Sequence, residues 1–317
     1  MKIGVSSCLL GTLCRYDGGH SQDRFIIDEL GQYFEFIPFC PEKKIFTIPR
    51  EAIRLTKQDD ILTVKTSNTN MDVTKQVNDI SKELVNQIQE EELCGFIFKS
   101  KSPTCGMERV KVYNENRGGQ SENSGIGIFA GKVKEKYPFL PTEEEGRLSD
   151  AWLRENFLMQ IFAYKHIFKF LKSNPSFKEL IEFYTSYKYL IYAKSHESYK
   201  ILGNIVANHD KKGLDVILEE YRNCFLEAIY KKGTISNTYN VILHIYGYFK
   251  KLITKEEKEE LLESFEEFKN GIIPLIAVVK LLNLYTKRFD IEYLKTQKFL
   301  NPYPKELALR STVKAYK

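Results

Sequence analysis

Short apolar runs, partly β-branched and bounded by polar or turn residues, recur at positions 2–9, 34–39, 61–65 and 95–99, and each predicts a buried strand. Between them the period lengthens. Val73, Val77, Ile80, Leu84 and Ile88 stand three and four apart within 72–92, which gives a helix one apolar face, and 23–31 predicts a shorter helix. Strands alternating with helices predict a mostly parallel, Rossmann-like α/β sheet, with its site at the carboxyl ends of the strands. Cys8, Cys40 and Ser100 fall at or just after such ends. A further helix is expected over 124–137, closed by Pro138.

Beyond that point strand signals vanish. Long periodic segments at 150–171, 177–193, 214–232, 237–252, 255–268 and 275–289 are separated by Asn-Pro, Lys-Gly and Asn-Gly punctuation, which predicts an all-α helical bundle. The stretch 138–146 reads as a linker, so the chain divides into an α/β domain over 1–140 and a helical domain over 141–317. The run Glu143-Glu144-Glu145 and the pair Asp59-Asp60 read as solvated loop charges without a role.

Charge sharpens this division. Through residue 150 acidic side chains outnumber basic ones, and the excess behind the net charge of +5 lies wholly in the second half, with fifteen of the 19 tyrosines. Such asymmetry points to a polyanionic partner for the helical half. No stretch approaches the roughly 20 apolar residues of a membrane span, and Met1-Lys2-Ile3-Gly4 leads into a strand rather than a signal peptide, so a soluble cytoplasmic protein is expected. Five of the 6 cysteines precede residue 106. In a reducing compartment clustered thiols bind metals or catalyse more often than they form disulfides.

Three segments concentrate that chemistry: Ser6-Ser7-Cys8-Leu9-Leu10-Gly11 with Cys14-Arg15-Tyr16-Asp17-Gly18-Gly19 beyond it, Pro38-Phe39-Cys40-Pro41-Glu42, and Lys99-Ser100-Lys101-Ser102-Pro103-Thr104-Cys105-Gly106. Each sets a cysteine in a turn beside Gly or Pro, where backbone amides can face a sulfur-rich anion. A metal or cluster site is one reading, and separate buried thiols are the other. Cys14 serves as an additional ligand, a persulfide carrier or a packed thiol nearby. Cys94 and Cys224 read as core. Arg15 and Asp17 either orient a substrate or shape a turn.

These three segments resemble the thiouracil-desulfidase domain family, whose pattern runs Ser-x-Cys-Leu-Leu-Gly, Arg-Tyr-Asp-Gly, Cys-Pro-Glu, a Pro-Arg dipeptide (Pro49-Arg50 here) and Lys-x-x-Ser-Pro-x-Cys-Gly. The resemblance covers about the first 140 residues. It implies a 4Fe-4S cluster held by Cys8, Cys40 and Cys105, with one iron left open, a catalytic pair in Glu42 and Ser102, and substrate contacts from Asp17 and Arg50. The chain departs from the family after Cys-Pro-Glu. Lys43-Lys44-Ile45-Phe46-Thr47-Ile48 stands where the family commonly has a Gly-rich stretch.

In the second half, Arg154-Glu155-Asn156-Phe157, the run from Phe183 to Leu190 and Ser198-Tyr199-Lys200-Ile201-Leu202-Gly203 resemble the helical domain of the YbgA family. The order of the two domains resembles the tRNA 4-thiouridine desulfidases, which implies a thiolated pyrimidine or tRNA substrate, uridine and sulfide as products, and a tRNA-binding helical part. Lys188, Lys194 and Lys200 interleave with Tyr187, Tyr189, Tyr192 and Tyr199, the mixture of charge and stacking surface used on nucleic acid. An ordinary amphipathic helix with half-buried tyrosines would read the same. Two rival functions stand beside desulfidation: a persulfide sulfurtransferase using Cys8 and Cys14, and a tRNA-binding protein whose cluster is only structural.

Overall fold

A computed structural model describes residues 1–117 and 120–309. The chain forms two compact units divided between Phe157 and Leu158. The first contains two four-stranded sheets. One has the order β2-β1-β5-β8, from strands β1 (Lys2–Ser6), β2 (Glu35–Phe39), β5 (Phe96–Phe98) and β8 (Thr142–Glu144), and every pairing in it is parallel. The other, β4-β3-β6-β7, is built from β3 (Ile53–Gln58), β4 (Ile61–Thr66), β6 (Val110–Asn114) and β7 (Gln120–Gly125). Its two outer pairings are antiparallel and the central one, β3 with β6, is parallel. The expected Rossmann-like arrangement is therefore the first sheet, and the second is a mixed sheet beside it.

Helices α1 (Pro41–Ile45), α2 (Thr74–Glu90) and α3 (Ile128–Lys136) complete this unit. Val77, Leu84, Val85 and Ile88 are the buried positions of α2, as its spacing predicts. Val73 and Val77 pack with Ile53, Leu55, Val64, Val110 and Val112 under the mixed sheet. The parallel sheet is filled differently. Phe96 stacks on Phe98 at 4.1 Å between ring centres and meets Phe39 at 5.2 Å and Phe129 at 5.6 Å, all four rings being fully buried. Gly4 leaves room for the Phe96 ring, since a Cβ there would stand 2.3 Å from it. Phe96→Ala should cost about 3–5 kcal/mol, the usual loss for truncating a buried aromatic, measurable as a lowered urea midpoint at unchanged slope.

Two sequence expectations fail here for physical reasons. The helix expected from 124 begins only at Ile128, because Asn123 and Gly125 still pair with Lys111 and Val110 in the sheet. The supposed linker is a sheet strand, β8. Its glutamates are buried, with Glu143 5% and Glu144 3% exposed. Glu143 accepts from Arg147 Nε at 2.6 Å and Glu144 from the Met107 amide at 2.8 Å, so each buried charge is bonded. Asp59 and Asp60, in contrast, form the two-residue turn of the β3–β4 hairpin, both with positive φ, as such turns require.

The second unit is helical. Its elements run through α4 (Ala151–Lys172), which starts before the division, α5 (Phe177–Lys194), α6 (His196–Ala207), α7 (Leu214–Tyr230), α8 (Ile235–Tyr246), α9 (Lys255–Lys269), α10 (Leu275–Arg288), α11 (Glu292–Lys295) and α12 (Lys305–Leu309). Capping boxes at Ser176/Glu179 and Thr254/Glu257 open α5 and α9. An aromatic core of Phe170, Phe183, Tyr187, Tyr221 and Phe225 ties α4, α5 and α7 together. Among the described residues no helix is long and apolar enough to cross a membrane.

Candidate functional site

Each cysteine segment follows the carboxyl end of a strand in the parallel sheet. After β1 the chain makes a 3₁₀ turn over Ser7–Leu10 that carries Cys8 and ends at Gly11, whose φ of 85° suits glycine alone among common residues. After β2, Cys40 caps α1, its sulfur accepting from the Lys43 amide at 3.4 Å. After β5, the loop from Lys99 to Gly106 carries Ser102, Thr104 and Cys105. These three ends surround one cavity of 340 Å³, lined among others by Cys8, Cys14, Cys40, Glu42, Arg50, Ser102 and Cys105.

The thiols differ in their environment. Cys14, itself buried, stands as hydrogen-bond partner to both Cys40 and Cys8, which pushes its own thiol up and pulls theirs down. Cys40 is brought to about 7 by Cys14, helped by the Lys43 amide and the Arg50 charge. Lys99 also favours the Cys8 thiolate. Burial pushes Cys105 up to about 12. Among the described residues no three His, Cys, Asp or Glu side chains converge as they would around a single metal ion. The four thiols are set around a cavity wall that also carries Arg15, Arg50, Lys99 and Lys101. This sulfur donor set, free of competing imidazoles, fits a thiolate-held iron-sulfur group by its chemistry.

Beside the thiols lies a polar network. Glu42 pairs with Arg50 through one carboxylate oxygen, and the other accepts from Thr104 Oγ1 at 2.7 Å and faces Ser102 Oγ at 3.5 Å. Ser102 Oγ in turn accepts from the amides of Thr104 at 3.3 Å and Cys105 at 3.2 Å. Its one hydroxyl hydrogen is left to point at Thr104 Oγ1, 3.0 Å away, or at Glu42. Arg50 is 6% exposed at its side chain, lies 5.2 Å from the Phe46 ring, and keeps its Nε without a partner. The departure from the family at Lys43–Ile48 thus includes the ring against which this guanidinium packs.

Three further residues change standing. Asp17 is not part of the cavity wall; its carboxylate accepts from the Gly19 amide at 3.0 Å and pairs with Arg15, which lowers its pKa and makes it a turn-former. Thr104 occupies the variable position of its motif, so pattern reading passed over it. Glu145, dismissed as a loop charge, binds the Ser100 amide at 2.7 Å, the Ser100 hydroxyl at 2.8 Å and Lys99, and so fixes the loop that carries Ser102 and Cys105.

In the helical unit, Lys188, Lys194 and Lys200 do not form one exposed row. Lys194 is buried, as are Tyr187, whose hydroxyl bonds His166 Nδ1 at 2.7 Å, and Tyr189. The end of α5 faces inward, so helix period and burial override the apparent alternation. A different ring surface remains: Tyr192 and Tyr199 stack at 5.2 Å, His196 and His244 flank Tyr192 at 4.8 and 5.5 Å, and Lys188 Nζ lies 5.8 Å from the Tyr199 ring centre. Lys200 is exposed next to Tyr199.

Comparison with known proteins agrees with this division. Residues 3–145 match the family described as 2-thiouracil desulfurase, and residues 188–304 match a family described as a protein of unknown function, DUF1722. The chain is similar to the uncharacterized protein YbgA of Escherichia coli strain K12, 25% identical over 154 residues, which is 48% of this chain and 91% of that protein. Among solved structures it is similar to TudS, a 4Fe-4S-dependent thiouracil desulfidase. That likeness has 27% identity and a TM-score of 0.39, and covers 46% of this chain and 92% of the other.

Proposed function

We propose, from the match of residues 3–145 to the 2-thiouracil desulfurase family and of residues 188–304 to DUF1722, that this chain removes sulfur from 4-thiouridine in tRNA, giving uridine and sulfide. The reading divides the work between an iron-sulfur desulfidase in the first unit, which ends at Phe157 and not at 140, and a tRNA-binding helical part from Leu158 on. One observation carries the chemistry: four thiols share a single cavity with Glu42, Arg50 and Ser102, and Thr104 bonds to Glu42 from behind that wall.

Cys8, Cys40 and Cys105 would hold a 4Fe-4S cluster, and such a cluster with three protein ligands supplies a Lewis-acidic iron that suits a soft sulfur atom. The conversion of C=S and water to C=O and hydrogen sulfide needs no net electrons. Glu42 is the base that takes a proton from the attacking water at its carboxylate. Arg50 keeps that carboxylate oriented. Ser102 and Thr104 hand hydrogen bonds along to Glu42 and can return a proton to the departing sulfur. The ring surface of Tyr192, Tyr199, His196 and His244, with Lys188 and Lys200, supports RNA contact by the helical part.

The pairing of Cys14 with Cys8 favours one alternative, a sulfurtransferase in which one of these thiols takes a sulfane sulfur from a persulfide or thiosulfonate donor and passes it to an acceptor, returning to the thiol. Anaerobic iron-sulfur reconstitution, followed by mass spectrometry of nucleosides from treated tRNA, tests the proposal. Loss of 4-thiouridine with equal gain of uridine and free sulfide is expected. An unchanged nucleoside profile would refute the desulfidase, and a persulfide on an alkylated Cys14 or Cys8 peptide after incubation with thiosulfate would put the transferase in its place.

A further inference from the structure

A second groove opens directly from the cavity. It has a volume of 830 Å³ and shares Ala52, Ile53, Ser100, Lys101 and Pro103 with the first, then continues over the mixed sheet. On β6, Lys111 and Tyr113 alternate with Val110 and Val112, which belong to the core, so they stand on the opposite face. Arg54 does the same on β3 between Ile53 and Leu55, and its guanidinium lies 5.2 Å from the Tyr113 ring centre. The groove wall therefore carries one aromatic face and several cations on a flat sheet surface.

The charge of this wall is not balanced internally. Of its two glutamates, Glu144 is buried and bonded to the Met107 amide, and Glu108 is neutralised by Arg109 at 3.0 Å and Arg147 at 2.8 Å. Lys101 and Lys111 are both exposed, and Arg54 donates through Nη2 to the neutral Asn70 at 2.7 Å, with no carboxylate partner among the described residues. A stacking ring among uncompensated cations, leading into the thiol-lined cavity, is the arrangement that tracks a single nucleic-acid strand.

We propose that this groove holds the ribose-phosphate backbone of the RNA strand whose thiolated base enters the neighbouring cavity, with Lys101, Lys111 and Arg54 on phosphates and Tyr113 under an adjacent base. The desulfidase unit thereby contributes its own RNA contacts, apart from the ring surface of the helical unit. The inference rests on the tRNA reading above. It deepens that reading by assigning the site a strand rather than a free base.

The test uses the full chain, labelled tRNA containing 4-thiouridine, and fluorescence anisotropy at several salt concentrations. Lys101→Glu with Lys111→Glu is compared with Lys75→Glu and Lys82→Glu, an equal charge reversal on the exposed side of α2. The groove variant should bind at least about tenfold more weakly than the control variant, and its salt slope should flatten by roughly 1 to 2. Tyr113→Ala should weaken binding by about fivefold or more at an unchanged slope, as expected of lost stacking. Equal affinity of the two charge-reversed chains overturns the groove. An unmodified chain that desulfurises free thiopyrimidine yet does not bind tRNA instead overturns the reading on which the groove depends.

Discussion

Replacing Cys8, Cys40 or Cys105 by alanine should give a folded protein that retains no stable iron-sulfur cluster after anaerobic reconstitution. All three sulfurs line one cavity, but they belong to three separate loops, so no two of them make a chelate that compensates for the third. Cys14→Ala, Cys94→Ala and Cys224→Ala should keep the cluster. Cys94 is buried in the core, and Cys224 lies in α7 of the other unit. Cys14 is the critical comparison, because it also lines the cavity and is hydrogen-bonded to Cys8 and Cys40. Iron and acid-labile sulfide content of all six variants decides the matter, and a Cys14→Ala protein devoid of iron would show that the ligand set has been drawn wrongly.

Glu42→Gln should slow desulfurisation about 10²-fold or more, the usual effect of losing a general base, while iron content stays near that of the parent and the melting temperature falls. The amide keeps the shape of the side chain and can still accept from Thr104. It cannot take the proton, and it leaves Arg50, nearly buried, without its counter-charge. Single-turnover rates separate these effects from binding. A Glu42→Gln enzyme of full activity would shift the base to another group on this wall.

The parallel sheet was legible because each of β1, β2 and β5 is an apolar run ending at a cysteine or serine turn. Of the mixed sheet only β4 was, as the apolar run at 61–65. Its edge strand β7, Gln-Ser-Glu-Asn-Ser-Gly, contains no hydrophobic residue and is held by its hydrogen-bonded pairing with β6, which periodicity cannot register. Strand β8 hides for the opposite reason, since glutamates that look solvated are buried on Arg147 and backbone amides. Family-like spacing marked the candidate thiols, Glu42, Ser102 and Arg50. Thr104 and Glu145 could not be found that way, because their importance comes from hydrogen bonds across 62 and 45 positions of chain.

The loop bearing Cys105 is also the amino-terminal cap of α3. The amide of Ile128 reaches the Pro103 carbonyl at 3.1 Å, those of Phe129 and Ala130 reach the Thr104 carbonyl at 2.9 and 3.1 Å, and Gly127 donates to Gly106 at 2.8 Å. A Cβ on Gly127 would sit 2.5 Å from the Thr104 carbonyl, so loop and helix are as close as backbones can come. Helix starts leave amides that must find acceptors, and here the acceptors are the loop itself. This has a consequence for maturation. On the proposed function the sulfur of Cys105 would be held in place before any iron arrived, and delivery of a cluster would be a docking onto finished architecture rather than a coupled folding step of the kind that governs zinc fingers. The amides of 127–130 should then exchange with deuterium as slowly in iron-free protein as in loaded protein, and a damaged cluster could be lost and replaced without the domain losing its shape.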